Sequence, residues 1–402
     1  MHCAEECEWS GPVTRPDRIE PFSIDVPEPV LDDLAERLRH ARPAADFGNE
    51  GWVYGTSGAA LSDLLAYWRD RYDWRARETL MNAFPHFRTE IEGLPVHFLH
   101  VRGQGPSPMP LIMTHGWPST FWDFHKVIGP LADPASHGGD PADAFDIVVP
   151  SLPGHGFSSP LTRTGVNFVE TADLWVKLME RLDYPRFAAQ GGDWGAFVSA
   201  QLGHKYAERL IGVHLELQVP LNVFSGGISD PADFGPDERH LLERNLAFWA
   251  AETGYLQIQA TKPQTLANAL NDSPIGLLSW IVEKWRSWSD CGGGLESRFT
   301  MDELLDTVMI YWITQTAGTA ARYYYEAVHR PWQPSHTLHP VVQAPTCAVR
   351  YPGEMVHQPR AWLHRYHNVE AEPEMSAGGH FPQMEVPELL VESIRNFYRS
   401  KR

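Results

Sequence analysis

Five consecutive residues, Gly191-Gly192-Asp193-Trp194-Gly195, carry the chemistry this chain most plainly offers. The apolar run Phe187-Ala188-Ala189 precedes them, and the helix-like stretch Ala196-Phe197-Val198-Ser199-Ala200 follows. A strand, a sharp turn and a helix in that order make a nucleophile elbow, whose small flanking residues let the turn close. Here the central residue is a carboxylate where a serine would be usual. A serine that attacked an alkyl carbon would end as an ether, which water does not readily cleave. A carboxylate that attacks the same carbon ends as an ester, which an activated water can open, so Asp193 suits electrophilic carbon and not acyl groups. It needs no base for the attack, because an Asp with a pKa of about 3.9 is already ionised near neutrality. A catalytic histidine would serve only the second, hydrolytic step. A lone G-x-D-x-G would read as a surface turn; the motifs around this one change that reading.

Two more turns follow strand-like runs. His115-Gly116-Trp117-Pro118 comes after Leu111-Ile112-Met113, and Pro153-Gly154-His155-Gly156-Phe157-Ser158 after Ile147-Val148-Val149. The first sets the Trp117 N–H beside the elbow, where with the Trp194 N–H it could cradle an oxyanion. Taken alone, the tetrapeptide serves equally well as a plain Gly/Pro turn. In enzymes built on such an elbow the acid and the histidine follow the nucleophile in chain order. Gly378-Gly379-His380-Phe381 presents a histidine in a small-residue turn before a final helix, and among 19 histidines it stands out by place and neighbours. Tyr351-Pro352-Gly353-Glu354 follows the strand-like Thr346-Cys347-Ala348-Val349 and offers a carboxylate. Glu370, Glu372 and Glu374 compete with Glu354 from a more polar segment.

Alternating elements must position these groups. From Val96 onward, apolar runs of strand length alternate with amphipathic helices, one of them through Leu174, Leu178 and Leu182. That alternation predicts βαβ units and a mostly parallel central sheet. The last helix runs through Leu389, Leu390, Ile394 and Phe397. Residues 1–100, with helical spacing at Leu31, Leu34 and Leu38 and again from Leu61 to Trp68, read as an N-terminal meander arm that packs on the core. Residues 101–217 and 344–402 read as the two parts of that core. Between them, residues 218–343 lose the strand signal and read as a helical lid, rich in Trp and Tyr, with a capping box at Thr300-Met301-Asp302-Glu303.

Composition narrows the function classes. The chain has 402 residues, 43% hydrophobic and 21% charged, which is a globular balance. With 33 basic and 51 acidic residues its formal net charge is −18, the wrong sign for a nucleic-acid partner. Four cysteines are too few for a disulfide framework; Cys3 and Cys7, near His2, read as free thiols rather than a metal site. No signal-like apolar run opens the chain and no stretch approaches about 18 apolar residues. A soluble, cytoplasmic protein without a membrane anchor is the expectation, and a homodimer is compatible with it.

Taken together, the motifs resemble the epoxide hydrolase family of the microsomal and juvenile-hormone type, over nearly the whole chain. The resemblance rests on Tyr72-Asp73-Trp74-Arg75, Leu80-Met81-Asn82, Ile91-Glu92-Gly93-Leu94, the His115–Pro118 turn and the Asp193 elbow. It continues through Gln259-Ala260-Thr261-Lys262-Pro263, Asn271-Asp272-Ser273-Pro274 and Gly378-Gly379-His380-Phe381. It implies an α/β-hydrolase fold and the conversion of a small hydrophobic epoxide to a vicinal diol, with no metal or organic cofactor. It also implies two lid tyrosines that hold the epoxide oxygen, matched by Tyr255 and Tyr324, with Tyr323 and Tyr325 as alternatives to the second. Asp193 would form the ester, and His380 oriented by Glu354 would activate water. The backbone N–H groups of Trp117 and Trp194 would stabilise the oxyanion. Two other readings compete: a haloalkane dehalogenase, which shares the Asp-Trp pair but needs halide donors, and a ligand-binding receptor on the same fold. A serine esterase is disfavoured, since no G-x-S-x-G occurs.

Overall fold

The computed structural model describes residues 18–402, so Cys3, Cys7 and His2 lie outside the described residues. The chain begins with strand β1 (Glu20–Phe22), helices α1 (Glu28–Arg39), α2 (Gly58–Asp70) and α3 (Trp74–Met81), and strands β2 (His86–Ile91) and β3 (Leu94–Val101). Then follow β4 (Met109–Thr114), α4 (His125–Ala132), β5 (Phe145–Pro150), α5 (Phe168–Arg181), β6 (Phe187–Gly191), α6 (Trp194–Lys205) and β7 (Leu210–Leu215). Six helices come next: α7 (Arg239–Glu252), α8 (Gly254–Thr261), α9 (Pro263–Asp272), α10 (Pro274–Trp288), α11 (Met301–Thr314) and α12 (Ala317–His329). The chain closes with β8 (Val342–Ala348), α13 (Arg360–Tyr366), β9 (His367–Ala371), α14 (Pro382–Glu385) and α15 (Pro387–Arg399).

The strands form one sheet in the order β1-β2-β3-β5-β4-β6-β7-β8-β9. Pairing is antiparallel from β1 to β5 and parallel from β5 through β4 to β9. This is a mostly parallel α/β-hydrolase sheet. Helices α5 and α6 pack together on one face, α4 and α15 on the other. Strand β6 is buried along its length, and Phe187-Ala188-Ala189 reads as an unbroken apolar run because both of its faces are covered.

Residues expected only as an arm also supply β1, β2 and β3. The β2–β3 hairpin turns at Glu92-Gly93, both with positive φ (53° and 77°), the geometry a two-residue turn between twisted strands requires. Helices α1 and α2 pack against α10 of the helical segment, α2 also against α11. Asp306 on α11, fully buried, accepts hydrogen bonds from Tyr72 (2.8 Å), Arg77 (2.9 Å) and the Trp122 indole (3.0 Å). One carboxylate thus joins the N-terminal segment, the helices and the loop after β4.

Register decides where chemistry can gather. Thr114, Gly191, Leu215 and Ala348 pair in a row at the C-terminal ends of β4, β6, β7 and β8. The residues just beyond them emerge along one edge of the sheet, where open α/β sheets bind their ligands.

Candidate active site

Asp193 stands in that edge at the turn from β6 into α6. Its backbone sits at φ 48° and ψ −126°, a conformation that costs a residue with a side chain about 1–3 kcal/mol. The neighbours keep it there. A Cβ on Gly195 would run into the Thr114 carbonyl, and one on Gly116 into the Asp193 side chain itself. The carboxylate is therefore pressed against the His115–Pro118 turn, and the Trp117 N–H donates to Asp193 Oδ1 at 2.8 Å. Trp194 opens α6, so its N–H belongs to the first turn, where no carbonyl of the helix can take it. His115 and His155, the histidines of the two earlier turns, are structural. His115 Nδ1 donates to the Gly116 carbonyl (2.8 Å), Nε2 accepts the Leu152 N–H (3.0 Å), and burial lowers its pKa to about 4. His155 is likewise neutral, with a pKa lowered by burial to about 3.

His380 reaches Asp193 from the opposite end of the sequence. Its Nδ1–H donates to Glu354 Oε1 at 2.8 Å, and its Nε2 lies 3.4 Å from Asp193 Oδ2 without a hydrogen bond of its own. The imidazole is 1% exposed, the Glu354 side chain 3% and that of Asp193 16%, so Asp193 keeps an opening that the other two lack. Burial opposes charge on His380, but the Glu354 carboxylate, then Asp193, outweigh it and raise its pKa to about 10. The competing carboxylates are engaged elsewhere: Glu370 with Lys401, Glu372 with Arg350 and Arg360, Glu374 with Arg360. Glu354 Oε1 also accepts the Met355 N–H (2.7 Å), and α7 braces the loop through Arg244, which donates to the Glu354 carbonyl (2.7 Å).

The three consecutive tyrosines of α12 part ways. Tyr323 shares a hydrogen bond with Thr171 (2.8 Å), and Tyr325 is 37% exposed and stacks on His329. Tyr324 is buried with its hydroxyl unpartnered. Its ring lies edge-on to Trp194 (4.7 Å between centroids), to Tyr255 (5.8 Å) and to Trp117 (5.9 Å). Tyr255, the second residue of α8, stacks on Trp117, 5.2 Å between centroids at 8°. Trp288 closes the group, 5.0 Å from Tyr255 and 5.3 Å from His380. The arrangement offers a carboxylate, a histidine whose Nε2 faces it across 3.4 Å and phenol donors, all inside an aromatic wall.

Two buried carboxyls here escape a reading by motif. Glu216, immediately after β7, takes the Gln190 amide (2.6 Å), and a Cβ on Gly192 would meet it. Burial, then the Glu354 charge, raises its pKa to about 8. Glu385 of α14 accepts the N–H groups of Asp290 (2.6 Å), Gly379 (3.0 Å) and Phe381 (2.9 Å), which holds the His380 turn from both sides. Glu216 has a signal, a polar residue ending the strand beside the elbow strand; Glu385 has none outside the folded loop. Among the described residues no group of three or more His, Cys, Asp or Glu is placed to hold a metal, and no helix is long and apolar enough to cross a membrane.

Two family models match the chain: the epoxide hydrolase N terminus over residues 19–124 and the alpha/beta hydrolase fold over residues 109–325. The chain is 35% identical to epoxide hydrolase 1 of Oryctolagus cuniculus, across 97% of its own length and 91% of that protein. It is similar to the crystal structure of juvenile hormone epoxide hydrolase from Bombyx mori, with a TM-score of 0.83, 30% identity and 96% of each chain covered. It is also similar to the Aspergillus niger epoxide hydrolase, with a TM-score of 0.83, 26% identity, and 96% of this chain and 97% of that one covered. On sequence and fold alike, from the first antiparallel strands to the final helix, the chain belongs to the epoxide hydrolase family, enzymes that add water across an epoxide.

Proposed function

We propose that the protein opens a small hydrophobic epoxide in two steps, passing through an ester on Asp193. Tyr255 and Tyr324 hydrogen-bond the ring oxygen, and a phenol proton moves to that oxygen as the C–O bond breaks. Burial, then the Asp193 charge, raises the Tyr255 pKa, and burial, then Tyr255, raises that of Tyr324. Both phenols are therefore protonated near neutrality, as an acid must be. Asp193 Oδ2 attacks a ring carbon while Oδ1 stays with the Trp117 N–H.

Esterification removes the Asp193 charge that helps hold the imidazolium. His380 then returns its proton to the tyrosine oxygen and becomes a neutral base. It takes a proton from water at Nε2, and the hydroxide adds to the ester carbonyl. The N–H groups of Trp117 and Trp194 bind the oxyanion. On collapse the re-formed carboxyl gives its proton to the departing alkoxide. Asp193 is ionised again, His380 is protonated again, and one water has been consumed.

The observation that carries this reading is the unpartnered hydroxyl of buried Tyr324 in the wall beside Asp193. It also favours an epoxide over a haloalkane, since a halide leaves without needing a proton. The rings of Trp117, Trp194 and Trp288 support an apolar, aryl-bearing substrate. The acidic composition, with a formal net charge of −18, is in keeping with a cytoplasmic site of action. A single turnover in oxygen-18 water tests the reading. The first diol should be unlabelled, with the label on Asp193; label in that first diol would overturn it.

A further inference from the structure

Lys284 of α10 has a side chain only 8% exposed, an ammonium withdrawn from water where α7, α8 and α10 meet. It pairs with Glu283 at 2.5 Å and lies 3.7 Å from Glu252, the last residue of α7. Its other neighbours are aromatic: Nζ is 5.1 Å from the Tyr255 ring centroid and 5.7 Å from the Trp288 ring. Burying a lysine is costly, and a methionine would fill the same joint without that cost. The charge has a use at Tyr255. Three carboxylates, Asp193, Glu252 and Glu283, act on this phenol together with Tyr324, and each carboxylate opposes loss of its proton. Lys284 is the cation set against two of them.

We infer that Lys284 is a positioning residue for ring opening: it holds Tyr255 by the ring face and offsets Glu252 and Glu283 when the tyrosine oxygen gives up its proton. The step balances. The Tyr255 O–H bond breaks, its electron pair stays on the tyrosine oxygen, and the proton joins the epoxide oxygen as Asp193 displaces it. Negative charge then spreads into the ring that faces the ammonium, and an attraction between a cation and a neutral ring becomes one between opposite charges. The inference rests on Tyr255 as a proton donor.

The test compares K284M/E283Q, which keeps the local charge balanced, with K284R, each in the native and the Y255F background, by steady-state kinetics on styrene oxide. K284M/E283Q should lower kcat about tenfold with little change in KM, and K284R should restore most of it. In the Y255F background, K284M/E283Q should cost nothing further. An unchanged kcat in K284M/E283Q, or the same loss with and without the Tyr255 hydroxyl, would overturn the role of Lys284 while leaving Tyr255 intact. Full activity of Y255F alone would instead remove Tyr255 as donor, and the inference with it.

Discussion

His380 is held between two carboxylates, and its charge depends on both. With Glu354 and Asp193 ionised it stays protonated far above an ordinary histidine. An imidazolium cannot take a proton from water, so in the proposed mechanism the loss of the Asp193 charge on esterification turns it into a base. This predicts that the His380 imidazole, followed by NMR, titrates well above about 6.5 in the native protein and moves down by a unit or more in D193N. An unmoved titration would mean that Asp193 does not set the charge. A folded-state pKa raised above the unfolded value lends stability that is complete below about 6.5 and fades as pH climbs towards about 10. D193N should therefore bring that alkaline loss to lower pH. Asp193 and His380 are legible in the sequence because each sits in a turn of small residues that only a close approach requires. The choice among Tyr323, Tyr324 and Tyr325 is not, because successive residues on a helix point about 100° apart and only the packed phase of α12 says which faces inward.

At the scale of elements, short loops at strand ends do the positioning, and buried acceptors hold the loops. Glu385 is the clearest case, since three backbone N–H groups around His380 end on its two oxygens. In E385Q an amide replaces one acceptor and strands at least one buried donor, a cost of about 1–3 kcal/mol. E385Q should lose that much stability in urea unfolding and also lose kcat, because the turn that aims Nε2 loosens. Native kcat in a destabilised E385Q would show that the brace serves the fold alone. The Thr300 capping box is legible and folds as expected, its side chain accepting the Glu303 N–H (3.2 Å) while Glu303 accepts the Thr300 N–H (2.9 Å). The three N-terminal strands are harder to read. Glu20–Phe22 is too short for an alternating pattern, and the sequence of β2, His-Phe-Arg-Thr-Glu-Ile, carries polar side chains that the fold buries: His86, Arg88 and Thr89. The Glu92-Gly93 turn is the signal that marks this hairpin.

Over the whole molecule, the N-terminal segment, the helices and the sheet are tied by few buried charges. Asp306 is the principal one, and D306A, which leaves Arg77 only the longer 4.0 Å contact with Asp302, should lower the unfolding free energy by about 3 kcal/mol. Buried histidines set the acid limit. Burial lowers His86 and His115 to about 4 and His155, His214 and His367 to about 3, so the unfolded chain takes up protons below about 6.5 that the fold refuses. Asp123 and Glu385, raised by burial to about 7, and Glu216, raised to about 8, act the other way between about 4 and their own values. Between about 6.5 and 4.5 these five histidines, joined by His100 and His357 at about 4, outnumber the three carboxyls, so stability already falls there, and below that only the histidines act. Urea midpoints should decline from about pH 6.5 downward and fall more steeply below about pH 4.5; midpoints that stay level down to about pH 4.5 would contradict this. Every scale bears on the proposed ester at Asp193. In H380Q the proposed nucleophile and phenol donors are intact and the proposed water-activating base is gone. Intact-protein mass after mixing with styrene oxide should show one added substrate mass, localised to the peptide containing Asp193 and persisting for many native turnover times. Unmodified protein throughout a reaction that still consumes epoxide would contradict the covalent account.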